Sequence, residues 1–317
     1  MDKPKPLIDV VRQMAKQPVR PAVCALADHV RGRFANTAGA ILFYGSCLRS
    51  GDDRDGIVDL YVLVDSYHRS YDKPVWASLN KLLPPNVYYL EIPFEGRTVR
   101  AKYAVLSLAD FHRGVSRNWF HSYIWGRFAQ PTAVVYARSD AVAEQICQSL
   151  ARAVRTFVDN VLPQAPTEFS GRDFWYRGLS LSYRAELRAE RAEKLVRLCD
   201  AAPRYYAEVT AAALEDLAVD GISVEVRQPD RYLAHVDAAE RRRCARQWRV
   251  RIFQGKVLSV MRLLKGWATF SGGTDYILWK IKRHTGVEEK LSPHMRRHPL
   301  LAVCVIGWRL YRRGGFR

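Results

Sequence analysis

The sequence predicts an α+β fold: a mixed sheet with flanking helices, followed by a mainly helical C-terminal domain and a basic amphipathic tail. Three observations carry this. Five short runs rich in Val, Ile, Leu, Tyr and Phe fall before residue 140, each bounded by Gly, Pro or polar residues. After Leu162-Pro-Gln-Ala-Pro-Thr the pattern turns helical and rich in Ala, Arg and Glu. The charge is lopsided: of a formal +18, the segment from Arg241 to Arg317 carries 19 Lys and Arg against three acids, Asp275, Glu288 and Glu289.

The elements follow in order. Leu7 to Phe34 has helical spacing (Ile8, Val11, Met14, then Val23, Leu26, Val30) and predicts two short helices. Ala40 to Tyr44 reads as a strand that stops at Gly45, and Ile57 to Val64 as a second. Val75 to Leu83 is helical. Asn86 to Phe94 and Thr98 to Leu106 are strands joined by the tight connection Glu95-Gly96-Arg97. Ser107 to Phe128 reads as helix, Thr132 to Tyr136 as strand, and Ser139 to Val161 as a long helix. Beyond it a single strand pair is expected near Gly221 to Val226. The domains so drawn are 1–162, 163–255 and 256–317.

Bulk properties bound the rest. A chain of 317 residues with ordinary apolar and charged fractions builds a real core, which excludes wholesale disorder. The six cysteines occur singly, so no zinc or dithiol motif is present, and the usage suits a reducing compartment. The N-terminal stretch MDKPKPLIDVVRQMAKQ lacks a secretory apolar segment, and no run reaches the ~20 apolar residues of a bilayer span. The expectation is a peripheral protein on the cytoplasmic face of a membrane. The polarised charge calls for an anionic partner, acidic lipid or nucleic acid.

The segment FYGSCLRSGDDRDGIVDLYVLVD holds the chemistry. Side chains alternate along a strand, so Leu60, Val62 and Val64 share the core face and Asp59, Tyr61, Leu63 and Asp65 the other. In the hairpin, Glu91 points away from Leu90 and Ile92, while Arg100 and Lys102 share a face. A sheet face bearing Asp59, Glu91, Arg100 and Lys102 can floor an active site: carboxylates hold Mg²⁺ and cations hold phosphates. Gly45 and Ser46 at a strand end offer backbone N–H groups and a hydroxyl to a triphosphate. The plainer alternative is two core strands joined by a polar loop.

A Gly-Ser turn followed by an acid-led strand is the general plan of the nucleotidyltransferase superfamily, which this region resembles. The superfamily pattern places a second acid where Tyr61 stands. Taken with YGSCLRS and VDLYVLVD, the ordered segments NVYYLEIPFEGRTVRAKYAVLSLADF, NWFHSYIWGRFAQPTAVVY and FWYRGLSLSYRAELR resemble the mitochondrial-type phosphatidate cytidylyltransferases, the translocator assembly and maintenance family. Cys47 and Ala104 depart from glycines of that family's motifs.

The resemblance implies a reaction of CTP with phosphatidic acid, giving CDP-diacylglycerol and pyrophosphate for phospholipid synthesis, with Mg²⁺ as cofactor. It implies Asp59 as principal metal ligand with Glu91 as a further one, and Gly45 and Ser46 as the triphosphate cradle. Lys102 would neutralise the triphosphate or the lipid phosphate, and Arg127 would be a further phosphate contact. His68, His112 and His121 are read as ordinary polar residues. Val257, Met261 and Leu264 recur amid Lys256, Arg262 and Lys265, with Trp267, Trp279 and Trp308 as aromatic anchors, so the tail suits an anionic membrane surface. Two rivals stay open: a nucleotidyltransferase acting on RNA, disfavoured because no RNA-module signature is present, and an inactive scaffold of the same fold.

Overall fold

The computed structural model describes residues 5–269 apart from 53, 55, 187–191, 220–223 and 229. The chain opens with helices α1 (Leu7–Ala15) and α2 (Pro21–Arg33), then strand β1 (Ala38–Tyr44), the single turn α3 (Ser46–Ser50) and β2 (Val58–Val64). Helices α4 (Tyr67–Ser70) and α5 (Pro74–Leu82) lead into the hairpin β3 (Asn86–Phe94) and β4 (Arg97–Ser107). There follow α6 (Leu108–Gly114), α7 (Trp125–Phe128), β5 (Thr132–Ala137) and the long α8 (Asp140–Val161). The second half contains β6 (Glu168–Ser170), α9 (Gly171–Arg184), α10 (Ala192–Asp200), α11 (Pro203–Val219), β7 (Val224–Gln228), β8 (Arg231–Ala234) and α12 (Ala238–Thr269).

The first five strands form one mixed sheet in the order β3-β4-β2-β1-β5. Only β2 and β4 run parallel; the other neighbours are antiparallel. The β3–β4 turn, Glu95-Gly96, has positive φ at both positions (46° and 74°), as a two-residue hairpin of right-handed twist requires.

Both faces of this sheet are covered. On one, Ile41, Leu60, Val62, Tyr103 and Val105 pack against Val23, Leu26 and Val30 of α2. On the other, Leu42, Tyr61, Leu63, Ala104 and Leu106 belong to a core that also takes residues of α1, α8, α9 and α11 and reaches Trp248. The expected open face is therefore mostly interior: Tyr61 and Leu63 are buried, and Asp59 stays half-exposed at the end of the row. The core runs from Leu7 to Trp248 without a break at residue 162, and the drawn boundary at 255/256 falls inside α12.

Two segments differ from the sequence reading. The helix expected over 107–128 breaks into α6 and α7, because Gly114 packs against Ile124: a Cβ there would lie 3.0 Å from Ile124 Cβ. The fold-back leaves 115–124 as a connecting segment and seats Trp125 with its indole N–H on the Trp119 carbonyl (3.2 Å). The expected strand pair is a three-stranded sheet, β6-β8-β7, whose three-residue β6 is too short to show a period of two.

Helix α12 is held along its length. Trp248 Nε1 donates to the Asn160 carbonyl (2.8 Å) and Arg251 Nη2 to Asn160 Oδ1 (2.7 Å). One helical turn further, Gly255 meets the end of α9. Near its C-terminal end, Arg262 Nε donates to the Pro84 carbonyl (2.9 Å), and the Lys265 ammonium donates to the carbonyls of Leu83 and Pro85. Burial, with Arg262 close by, lowers Lys265 to about 7. The tail from 270 onward, with Trp279 and Trp308, lies outside the described residues, as does the side chain of Trp267.

A Cβ at Gly255 would stand 2.2 Å from the Ala185 carbonyl oxygen, a backbone atom that cannot swing aside. Gly255→Ala should prise α12 from α9 and cost about 1–3 kcal/mol of stability, read by urea denaturation.

Candidate functional site

The site is built where β1 ends and β2 begins. Tyr44 is paired with Asp59 across the antiparallel β1–β2 ladder. The chain leaves β1 through Gly45, whose φ of +93° and ψ of −162° lie in a region that side chains avoid. A Cβ at Gly45 would stand 2.6 Å from Asp59 Oδ2, so the glycine is required twice, by backbone conformation and by the carboxylate lying against it. Ser46 opens α3 immediately after the bend. Cys47, where the family pattern has glycine, is buried, and its thiol donates to the Ile57 carbonyl (3.2 Å), tying the bend to the approach to β2.

Lys102 is the register partner of Asp59 on parallel β4, and Tyr89 is the partner of Lys102 on β3. Asp59 and Lys102 are thus adjacent on one sheet face, both half-buried. Gly45, Ser46, Asp59 and Lys102 are brought together at one end of that face. A glycine bend and a hydroxyl beside a strand-borne carboxylate and a lysine suit a polyphosphate.

Two other expected residues go elsewhere. Glu91 lies two strands from Asp59, roughly 10 Å across the sheet before a further two-residue offset along it. Its carboxylate accepts from Arg100 Nε (3.0 Å) and from the Tyr89 hydroxyl (2.5 Å). It cannot share an ion with Asp59. Arg127, expected as a phosphate contact, is buried inside the protein. Its Nη2 donates to both Glu186 oxygens (3.1 Å each) and its Nη1 to the Tyr61 hydroxyl (3.1 Å). Burial alone would lower the Arg127 pKa, but Glu186 and three tyrosines hold it well above the ordinary value, so the guanidinium stays charged. Arg127 is a structural ion pair that fastens α7 to the residue just beyond α9.

Tyr61 explains the absent second acid. Its ring packs on Tyr44 (5.4 Å) and edge-on to Phe128 (5.0 Å), and its hydroxyl accepts from Arg127. The position is core, where a carboxylate would have to be desolvated. Sequence reading missed Tyr123 and Glu186, although both lie in motifs that carried the resemblance, NWFHSYIWGR and LSYRAELR; single-strand alternation says nothing about residues arriving from a loop or a helix end. The Tyr123 ring stacks against the guanidiniums of Arg127 (4.2 Å) and Arg262 (4.0 Å). Burial would raise its phenol, but Arg127 and Arg262 outweigh burial and bring it below the ordinary tyrosine value.

For a metal, the donor set is spare. Among the described residues no three His, Cys, Asp or Glu side chains cluster. Asp59 remains, beside a bend that a Cβ would fill. One carboxylate suffices for Mg²⁺ where substrate phosphates and water complete the octahedron, so the residues fit a phosphate-bridged ion and not an all-protein cage.

Comparison with known proteins identifies the family. The family model described as "Phosphatidate cytidylyltransferase, mitochondrial" matches residues 65–237. The chain belongs to this family of enzymes, which join CTP and phosphatidate to give CDP-diacylglycerol and pyrophosphate. Lys102 and Arg127 lie inside the matched span; Gly45, Ser46 and Asp59 precede it and rest on geometry. Among solved structures, a nucleotidyltransferase-like protein from Exiguobacterium sibiricum is similar at 12% identity, covering 92% of this chain and 91% of that chain with a TM-score of 0.26. A comparison with curated proteins finds no match.

Two outcomes are expected. Glu186→Ala leaves the buried Arg127 charge unpaired and should cost about 3–5 kcal/mol, measured by chemical denaturation. An ultraviolet difference titration should show one phenol ionising below the usual tyrosine range, and Tyr123→Phe should remove that step.

Proposed function

We propose that this phosphatidate cytidylyltransferase works with Mg²⁺ at an anionic membrane surface, and that Gly45, Ser46, Asp59 and Lys102 form its nucleotide site. The observation that carries the reading is the contact of the Asp59 carboxylate with the Gly45 bend.

The chemistry asks little of side chains. The phosphatidate headgroup is a phosphate monoester whose second pKa is ~6, so near neutral pH it is largely dianionic and needs no general base. Its oxygen forms the bond to the α-phosphorus of CTP, and the bond to the pyrophosphate oxygen breaks. The protein supplies in-line positioning and charge neutralisation. In this reading the backbone N–H groups at Gly45 and Ser46 hold the triphosphate, and Lys102 offsets its charge. Asp59 would hold Mg²⁺, which when bound supplies Lewis-acid stabilisation of the phosphoryl charge.

The membrane setting is supported by α12. Val250, Phe253, Val257, Val260, Met261 and Leu264 are exposed along one side of the helix, Phe253 at 72%. Arg262 and Lys265 leave the helix elsewhere, toward the Leu83–Pro85 carbonyls. Exposed Arg249 and Lys256 flank the apolar stripe. Apolar and basic residues side by side on one helix are what an interfacial element needs, and each cation near an acidic leaflet adds ~1 kcal/mol. No described helix is long and apolar enough to cross a membrane.

The direct test is an assay of purified protein with radiolabelled CTP, Mg²⁺ and phosphatidic acid in mixed micelles. Asp59→Ala should lower turnover by about a hundredfold or more while leaving the fold intact by circular dichroism; full activity in that variant would refute the site. For the membrane setting, Phe253→Asp with Leu264→Asp should abolish co-sedimentation with anionic vesicles. Retention of RNA in a gel shift without vesicle binding would overturn that part of the proposal.

A further inference from the structure

The seam between the 119–123 segment and α12 gathers buried polar atoms that nothing pairs. Among the described residues, Trp119 Nε1, His121 Nδ1, Arg251 Nη1 and Gln254 Oε1 are buried without a hydrogen-bond partner. The first and third are obligate donors, and the second is a donor in one tautomer. Arg251 is only 3% exposed. Its Nε donates to the Phe120 carbonyl (2.5 Å) and its Nη2 to Asn160 Oδ1 (2.7 Å). Its Cζ lies 4.5 Å from the ring of Trp248, 4.8 Å from Phe120 and 5.4 Å from Trp125.

No carboxylate neutralises this guanidinium among the described residues. The neighbour of Asn160, Asp159, is committed to Arg117 and Arg155. Arg262 adds a second guanidinium, 4.0 Å from the Tyr123 ring and likewise without an acid among the described residues. His121 lies within the field of both: burial first, then Arg262 and Arg251, drive its pKa down to about 3, so the imidazole is neutral in ordinary buffers. Aromatic faces attract a buried cation but offer its N–H groups no acceptor. A buried charge beside the unpaired donors of Trp119 and Arg251, with Gln254 Oε1 an unpaired acceptor, suits an anion.

We propose that Trp119, His121 and Arg251, with Arg262 at the edge, form a subsite for a phosphate monoester dianion: the headgroup of the lipid acceptor. The inference rests on the reading of the chain as a phosphatidate cytidylyltransferase. Two guanidiniums match a double negative charge, and phosphate presents several acceptor oxygens to the donors of neighbouring side chains. A lipid source fits the surroundings, because the Phe120 ring, 4.8 Å from the Arg251 guanidinium, is exposed. A headgroup at Arg251 would leave its acyl chains beside the exposed Phe120 ring. The seam also adjoins the nucleotide end of the sheet: the Tyr123 hydroxyl is 3.5 Å from that of Tyr61, whose ring packs on Tyr44, the register partner of Asp59.

The test measures binding to the full chain without CTP, by calorimetry, using dihexanoyl phosphatidate, sn-glycerol 3-phosphate, inorganic phosphate and sulfate as probes. Trp119→Phe keeps the packing and removes one donor; Arg251→Lys keeps the charge and removes the fork. Each should weaken phosphatidate binding by about tenfold, the scale of one hydrogen bond to a charged group, and raise the KM for phosphatidate with the KM for CTP unchanged. Unaltered binding and KM in a folded Trp119→Phe variant, or equal binding of sulfate, would overturn the subsite. Inorganic phosphate bound as tightly as phosphatidate, with both lost in the variants, would overturn the lipid assignment while leaving a phosphate site. Should the wild type make no CDP-diacylglycerol, the functional reading fails, yet the binding arm still decides the seam. Normal turnover with unaffected variants sinks the seam alone.

Discussion

The candidate site depends on one close approach: the Asp59 carboxylate against Gly45. Two strands pair so that Tyr44 faces Asp59, and the chain must then turn away at once. Only a residue without a side chain leaves room for the carboxylate there, and only glycine accepts φ near +93° without strain. The bend and the acid are consequences of the same pairing, so neither can shift without the other. Cys47 reinforces the geometry from below by holding the Ile57 carbonyl.

A second constraint joins the two halves of the chain. Arg127 reaches Tyr61 on the sheet and Glu186 beyond α9, and its charge is tolerated in the interior because the carboxylate meets it with two oxygens. A buried pair of this kind adds little net stability relative to apolar packing, but it fixes which side chains meet. Here it fixes the distance between the helical half and the row that ends in Asp59. The same row holds Tyr61 where the superfamily pattern carries an acid, so the interior charge is balanced by Glu186 and, among the described residues, this strand row carries one acid, Asp59.

Helix α12 works as a two-sided element. Its inner side is bonded to Asn160, Phe120 and the Leu83–Pro85 carbonyls, and its other side exposes a row of apolar residues. The inner bonds connect that exposed row to the loop that feeds β3, and through the hairpin to Lys102. A helix so placed can relate a hydrophobic surface to the Asp59 end of the sheet without any moving part being required.

The sequence by itself determined the strands of the first sheet, one core face of that sheet and the Gly-Ser bend followed by an acid. These are local properties, carried by alternation and by glycine's backbone freedom, and they are visible one segment at a time. Register was not visible. Whether Asp59 stands opposite Lys102 or near Glu91 depends on how three strands align, and the alignment puts Glu91 with Arg100 instead. Burial was not visible either: Arg127 reads like any exposed cation until α7 packs it beneath Tyr61 and Glu186. The break at Gly114, the pairing of Tyr123 with two guanidiniums and the orphan donors around Arg251 all arise from contacts between residues far apart in the chain. Only the tertiary structure decided them, because a side chain's partner, and hence the cost of its charge, is set by what lands beside it in space.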